Sequence, residues 1–182
     1  AGRAGLAQLS RERIRMELIK LLAARHAVPS LVLMSETGLL GQVIGGVPLL
    51  ASFANMIKLE TVLALAPDPV RRLGALAVSV VEDAERLRER LRLANAEFER
   101  LASMADGWWH ISAATGVHDA RVLIYRLGPE KFLDRVLLAW SRAWSECVAD
   151  RRWHERARLS APSFPLKAAD FIARGVAKGP AL

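Results

Sequence analysis

Residues 82–104, EDAERLRERLRLANAEFERLASM, place Leu87, Leu91, Ala94, Phe98 and Leu101 at a 4-3-4-3 spacing. That spacing forms one apolar face on a helix of 3.6 residues per turn, so a single amphipathic helix is expected over 82–104. Glu85, Arg86, Arg88, Glu89, Arg90 and Arg92 fill its other positions at i,i+3 and i,i+4 separations, which reads as a solvated, ion-paired surface. The period recurs upstream, where Ser10 is a good N-cap for a helix over 11–25 with Glu12 in its first turn and Ile14, Leu18, Leu21 and Leu22 on one face. Pro29 suits the first turn of a second helix that Gly38 ends, giving an αα-hairpin. Gly41, Gly45, Gly46 and Pro48 mark a loop, and helices follow over 49–66, 70–81 and 117–127.

The helix expected over 130–149 is apolar across a wide arc. Leu133, Leu137, Trp140, Trp144 and Cys147 share one face, with Phe132, Val136, Ala139 and Ala143 beside it, so it belongs at the centre of the core. A charged connection over 150–158 and a last helix over 167–178 complete an all-α reading. Composition agrees. Of 182 residues, 30 are Ala and 28 Leu, against 14 Val, 7 Ile and 3 Thr, so helix formers dominate strand formers. A hydrophobic fraction of 52% excludes a disordered or collagen-like chain, and no apolar run reaches the ~20 residues of a membrane span. One cysteine forms no intrachain disulfide and builds no thiolate metal site, which points to a soluble protein of a reducing, cytoplasmic compartment.

The formal net charge is +7, and of the 26 basic residues 21 are Arg. Arginine suits bidentate contact with phosphate. The arginines fall into three groups: Arg3, Arg11, Arg13, Arg15 and Arg25; Arg86, Arg88, Arg90 and Arg92; Arg151, Arg152, Arg156 and Arg158. The second group is partly neutralised by its own glutamates. If the first and third groups share a face, Arg11, Arg15, Arg25, Arg151, Arg152, Arg156 and Arg158 make a track for a nucleic-acid backbone; otherwise each group is a solvated helix face.

Catalytic signatures are sparse. There is no phosphate-cradling glycine loop. Asp83-x-Glu85 and Glu97-x-Glu99 lie on an expected helix, where i and i+2 point roughly 200° apart and do not share one Mg²⁺. His118-Asp119 resembles the metal-binding dipeptide of HD-type phosphohydrolases, yet it stands at a helix N-terminus, and no metal site is assigned to it. Tyr125, Trp108 and Trp109 suit base stacking or core packing.

The string 9–22, LSRERIRMELIKLL, followed by Pro29 and by 33–40, LMSETGLL, resembles the neck of the bacterial tRNA nucleotidyltransferase (CCA-adding enzyme) and poly(A) polymerase family. In that family a Ser-x-Glu-Arg-Ile-x-x-Glu helix follows the catalytic head and a Met-x-x-x-Gly-Leu turn closes a hairpin. The string 164–171, FPLKAADF, with Gly175, Gly179 and Pro180, is similar to the family's C-terminal Gly-x-Asp-Leu segment, although Ala168 and Phe171 depart from it. The middle matches loosely.

The resemblance implies an enzyme adding C, C and A to tRNA 3′ ends from CTP and ATP with Mg²⁺. The family's Gly-Ser loop, Asp-x-Asp ligands and nucleotide-selecting motif all lie upstream of the neck, so this chain, starting at Ala1, is expected to be the neck, body and tail without the head. No catalytic residue, metal ligand or cofactor is expected within it. Residues 82–86 spell the nucleotide-selecting motif but fall about seventy residues too late. Glu12, Arg13 and Glu17 match the neck motif, whose implied role is to brace the head. The expectation is an elongated all-α module, neck over 1–66 and body with tail over 67–182, that binds the acceptor and TΨC arms of tRNA. A poly(A) polymerase is the alternative within the resemblance. A helical protein-interaction module is the alternative outside it.

Overall fold

The computed structural model describes residues 9–143, 150–160 and 172–174. Among them the order is α1 Arg11–Ala23, α2 Ala27–Glu36, α3 Leu39–Ile44, α4 Leu50–Val62, α5 Pro69–Ala77, α6 Val81–Leu91, α7 Asn95–Ala105, a 3₁₀ turn Trp108–His110, α8 Val117–Leu127, α9 Pro129–Arg142 and α10 Arg151–Ala157. No strand occurs among the described residues, and the fold is all-α. No helix among them is long and apolar enough to cross a membrane.

Local chemistry sets the boundaries. The Ser10 hydroxyl accepts the Arg13 amide at 3.2 Å and starts α1. Asp68 accepts the amides of Val70 and Arg71, both at 3.0 Å, and Pro69 opens α5 with the φ it already prefers. Helices α4, α5, α7 and α9 pack together and bury Phe53, Met56, Leu73, Leu76, Leu101, Met104, Leu137 and Trp140 in one continuous core, with α1 added through Leu18 and Leu22. The central place expected for the helix after Gly128 holds for α9, on which Phe132, Val136, Leu137, Leu138 and Trp140 are buried. Close approach of α5 and α7 depends on Gly74, where a Cβ would lie 2.4 Å from Met104 Cε.

Three expectations need correction. The helix over 82–104 is two helices. Arg92 turns left-handed at φ 51°, Ala94 is extended, and the Glu97 carboxylate accepts the Ala94 amide at 2.7 Å to start α7. The break lets Leu87, Leu91 and Leu93 enter the core from α6 and its turn while Leu101 and Met104 enter from α7, so α6 and α7 pack on each other as well as on the core. Gly41 lies inside α3, and only Gly45 at φ 73° begins the turn expected over 41–48. The charged connection over 150–158 is largely helical, since Asp150 accepts the Arg152 amide at 2.9 Å and caps α10, whose Trp153 stacks on Trp140 with centroids 5.9 Å apart. Arg3, Trp144, Cys147, the tail string 164–171 and most of the helix expected over 167–178 lie outside the described residues.

Candidate nucleic-acid interface

Arg11, Arg15, Leu18 and Leu22 stand at i, i+4, i+7 and i+11 on α1, so the buried stripe of the helix continues toward its N-terminus as two arginines. Both meet the end of α6. Arg11 Nη1 donates to the Glu89 carbonyl at 3.1 Å, and Arg15 Nη1 donates to the Arg92 carbonyl at 3.0 Å, with its Nε 3.6 Å from Glu97 Oε2. Carbonyls in the last turn of a helix lack intrahelical partners and carry the negative end of its dipole, so a guanidinium is well matched to them.

The second arginine group does the same to α3. Arg86 Nε donates to the Ile44 carbonyl and Arg90 Nε to the Val43 carbonyl, both at 3.4 Å, while Arg90 Nη2 donates to the Gln42 carbonyl. Gly45 and Gly46 make room, since a Cβ there would lie 2.4 Å from Arg90 Cδ and 2.8 Å from Arg86 Nη2. Arg86 keeps an i,i+3 ion pair to Asp83 at 2.7 Å and Arg90 stays exposed, but both also cap a neighbouring helix. Arg88 lies over the Phe98 ring at 4.4 Å and donates to Asn95. Arg142 caps α5 through the Val78 carbonyl and rests 4.5 Å over the Trp108 ring.

Behind these caps lies an ionic cluster that the sequence alone does not disclose. Arg71 Nε donates to Asp134 Oδ1 at 2.8 Å and Arg72 Nε to Glu60 Oε2 at 2.7 Å. Arg100 bridges Asp134 Oδ2 and Asp68 Oδ2, each at 2.8 Å. Arg72 Nη1 also donates to the Leu22 carbonyl at 2.7 Å and ties down the end of α1. Three guanidiniums thus offset three carboxylates across α1, α4, α5, α7 and α9. Burial pushes the Glu60 carboxyl above its ordinary value despite Arg72. Burial acts on Asp68 in the same direction, but bonds from the Arg71 amide and the Arg100 guanidinium outweigh it and hold that carboxyl below its ordinary value. Bonds to Asp134 first and to Asp68 second outweigh burial and hold Arg100 firmly charged. The only sequence signal is Asp68-Pro69-x-Arg71-Arg72, an N-cap followed at helical spacing by two cations.

The third arginine group divides. Arg156 is buried and donates through Nε to the Thr115 carbonyl at 2.6 Å, which removes it from any surface track. Arg152 chelates Asp150, its Nη2 2.8 Å from Oδ2, and this holds the Asp150 carboxyl below its ordinary value. Arg151 is 90% exposed and 3.3 Å from Glu155. Arg158 is exposed. Helix α1 packs on α5 and α6 while α10 packs on α9, so the structure joins the first arginine group to the second, and the third stands on a separate element.

On the neck motif Glu12, Arg13 and Glu17 are all exposed, and the Arg13 and Arg25 guanidiniums make no ion pair among the described residues. Glu17 pairs with Lys20 at 3.1 Å, one turn on, instead of Arg13. His118 and Asp119 are exposed in the first turn of α8. The carboxylates of Asp83 and Glu97, expected on a solvated face, are caps: Asp83 Oδ2 accepts the Ser79 amide at 2.7 Å and the Val80 amide at 3.1 Å. Trp108 Nε1 donates to the Ser79 carbonyl at 3.0 Å and belongs to the packing, whereas Trp109 and Tyr125 are exposed.

The segment bearing Arg11, Arg13, Arg15 and Arg25 is where a known family enters. Residues 3–53 match the family model described as "Probable RNA and SrmB-binding site of polymerase A". This segment is thus similar to the RNA-binding region of poly(A) polymerases. The match takes in α1, α2 and α3 and ends in the first turn of α4. No curated protein matches the chain.

Proposed function

We propose that the chain is the tRNA-binding C-terminal part of a tRNA nucleotidyltransferase, with a neck over 1–66 and a body and tail over 67–182. The observation that carries this reading is the RNA-binding region at residues 3–53, on which Arg13 and Arg25 stand exposed. Phosphate contacts from Arg25, Arg151 and Arg158 would hold the acceptor and TΨC arms by shape, since backbone contacts carry no base information. Arg11 and Arg15 have part of their donor capacity fixed on α6 carbonyls and would add charge in a set orientation. Addition of C, C and A from CTP and ATP with Mg²⁺ belongs, in this reading, to a catalytic head braced by Glu12, Arg13 and Glu17. A poly(A) polymerase fits the same match equally well. Competition separates the two: tRNA displaced by unlabelled tRNA at far lower concentration than by poly(A) favours tRNA nucleotidyl transfer, and the reverse order favours poly(A) synthesis. The chain alone is expected to incorporate no nucleotide. Binding that ignores salt would sink both RNA readings and favour a protein-interaction module, because released counterions make phosphate contacts salt-sensitive.

A further inference from the structure

Arg135 is buried on α9 without the close ion pairs that its interior counterparts have. Arg71, Arg72 and Arg100 each hold a carboxylate oxygen at 2.7–2.8 Å. The carboxylate nearest Arg135 among the described residues is Asp106 at 3.7 Å, and Asp106 is itself 78% exposed. The one hydrogen bond Arg135 donates there is neutral, from Nε to Ser103 Oγ at 3.3 Å. Burial therefore pulls the Arg135 guanidinium below its ordinary value, the direction expected of a buried cation short of negative charge.

The surroundings add positive charge. Arg135, Lys131 and Arg126 line one cleft of about 440 Å³ between α7, α8 and α9, with Ser103 and Asp106 opposite. Among the described residues Lys131 pairs with Glu99 at 3.4 Å, and Arg126 is exposed in the last turn of α8. Gly107 holds a left-handed φ of 108°, and a Cβ on it would lie 3.0 Å from Arg135 Nη1, so the guanidinium is seated against bare backbone. Ser103 Oγ accepts from Arg135 and keeps its own hydrogen to donate. A tetrahedral anion entering the cleft would meet the Arg135 fork, a serine hydroxyl and two further cations, with the exposed Asp106 carboxylate on the same wall.

We propose that the cleft between α7, α8 and α9 binds a phosphate group of the RNA backbone through Arg135, with Arg126 and Lys131 at its mouth. This extends the RNA path beyond residues 3–53 and rests on the RNA-binding reading of the chain. The test uses the whole chain with Arg126→Gln/Lys131→Gln, two mouth substitutions that leave the core untouched, and with Arg135→Lys, which keeps the charge and loses the fork. Anisotropy of a labelled single-stranded oligoribonucleotide should show the double variant binding about fivefold or more weakly. Its log-affinity against log-salt slope should fall by about 0.7, for the one single-strand phosphate no longer neutralised. Inorganic phosphate should move the Arg135 Nε–H resonance in the wild type and leave it in place in the double variant. Wild-type RNA binding with unchanged affinity and slope in the double variant overturns this site and leaves the RNA reading standing. Absence of RNA binding by the wild type overturns the RNA reading itself. A phosphate-insensitive Arg135 resonance overturns the anion seat even where RNA binds elsewhere.

Discussion

Arg72 and Arg151 carry the same side chain in opposite surroundings. Arg72 sits in the α4–α5–α7–α9 interior, with the Glu60 carboxylate on Nε and the Leu22 carbonyl on Nη1, both at 2.7 Å. Arg151 projects from α10 and, among the described residues, pairs only within its own helix, through Glu155. The interior set costs desolvation and recovers it through saturated bonding, which fixes how five helices meet. The outer set is paired weakly and locally, so it can exchange partners when a polyanion arrives. A charge of +7 therefore overstates the RNA-binding surface, because much of the arginine is committed to helix ends and buried carboxylates.

The sharpest way to break this contrast is to strip a partner from the interior. Asp134 is fully buried and serves both Arg71 and Arg100. Asp134→Ala should destabilise the chain by about 3–5 kcal/mol, since it takes the closest carboxylate from buried Arg71, which keeps only Glu60 at 3.5 Å and Asp68 at 3.8 Å, and one of the two 2.8 Å partners from Arg100, and urea denaturation measures this directly. A loss under about 1 kcal/mol would mean the cluster is hydrated and no different in kind from α10. Trp140→Ala, in the same core but without charge, should cost about 3 kcal/mol through the cavity it leaves beside Trp153. Its Nε1 has no hydrogen-bond partner among the described residues, so truncation strands no polar group there, which places this loss at the low end for a buried tryptophan.

The pH response tests the cluster from another side. Asp68 and Asp83 have lowered folded values, so their stabilising contribution is present above the ordinary aspartate value of 3.8 and is lost as pH falls through the lowered ones. Glu60 has a raised value and opposes them: its contribution is present below the ordinary 4.5 and is lost as pH rises through the raised value. Asp83→Asn should therefore be less stable than the wild type at pH 7, with the gap closing as acid takes the pH below 3.8. Urea midpoints across that range decide it, and a constant gap would show that the Asp83 charge contributes nothing beyond its shape.

The helices are legible in the sequence because their apolar periods and caps are local. Ser10, Pro69 and Gly128 mark three boundaries by the chemistry of their own side chains and backbone, and Trp140 lies on a face too apolar to be anything but core. The break at Arg92 is hidden because the 4-3-4-3 spacing runs straight through it. Only Glu97, three residues after Ala94, hints at a new start. Arginine fates are illegible for a different reason: the carbonyl that Arg11 caps is 78 residues away and the carboxylate that Arg71 holds is 63 away. Spacing along the chain cannot show which guanidiniums a fold consumes.

A smaller effect is expected on α10, where stability and binding should separate. Arg151→Ala with Arg158→Ala should leave the unfolding midpoint unchanged while weakening binding of all tRNAs alike and lowering the salt slope by about 0.7–0.9 for each phosphate that no longer meets a cation. Arg156→Ala supplies the contrast on the same helix, since it removes the bond to the Thr115 carbonyl and should lower the midpoint instead. Should Arg151 and Arg158 prove silent in binding, the outer region would be a solvated helix face, and the RNA path would have to run along α1 and α2.

The smallest effect on this chain belongs to the neck motif, which in the proposed reading carries the most for nucleotide addition. Arg13 and Glu17 lie at i,i+4 on the exposed side of α1, away from the Leu18 and Leu22 stripe. Glu17 is engaged by Lys20 at 3.1 Å with both side chains mostly exposed, and such a pair contributes at most ~0.5 kcal/mol. Glu17→Ala should therefore barely move the unfolding midpoint, and Arg13→Ala, which removes no ion pair seen among the described residues, should move it no further. Surface charges that do so little for their own helix are available to a partner, and in the proposed reading that partner is the catalytic head. There a bonded pair would hold a nucleotide-selecting helix in register, so either substitution should slow nucleotide addition by the full-length enzyme while RNA binding by Glu17→Ala stays intact. Turnover and CTP-over-ATP selection measured on the full-length double variant decide the matter. If both match the wild type, Glu17 serves only Lys20, and the bracing role inferred from the neck resemblance is wrong.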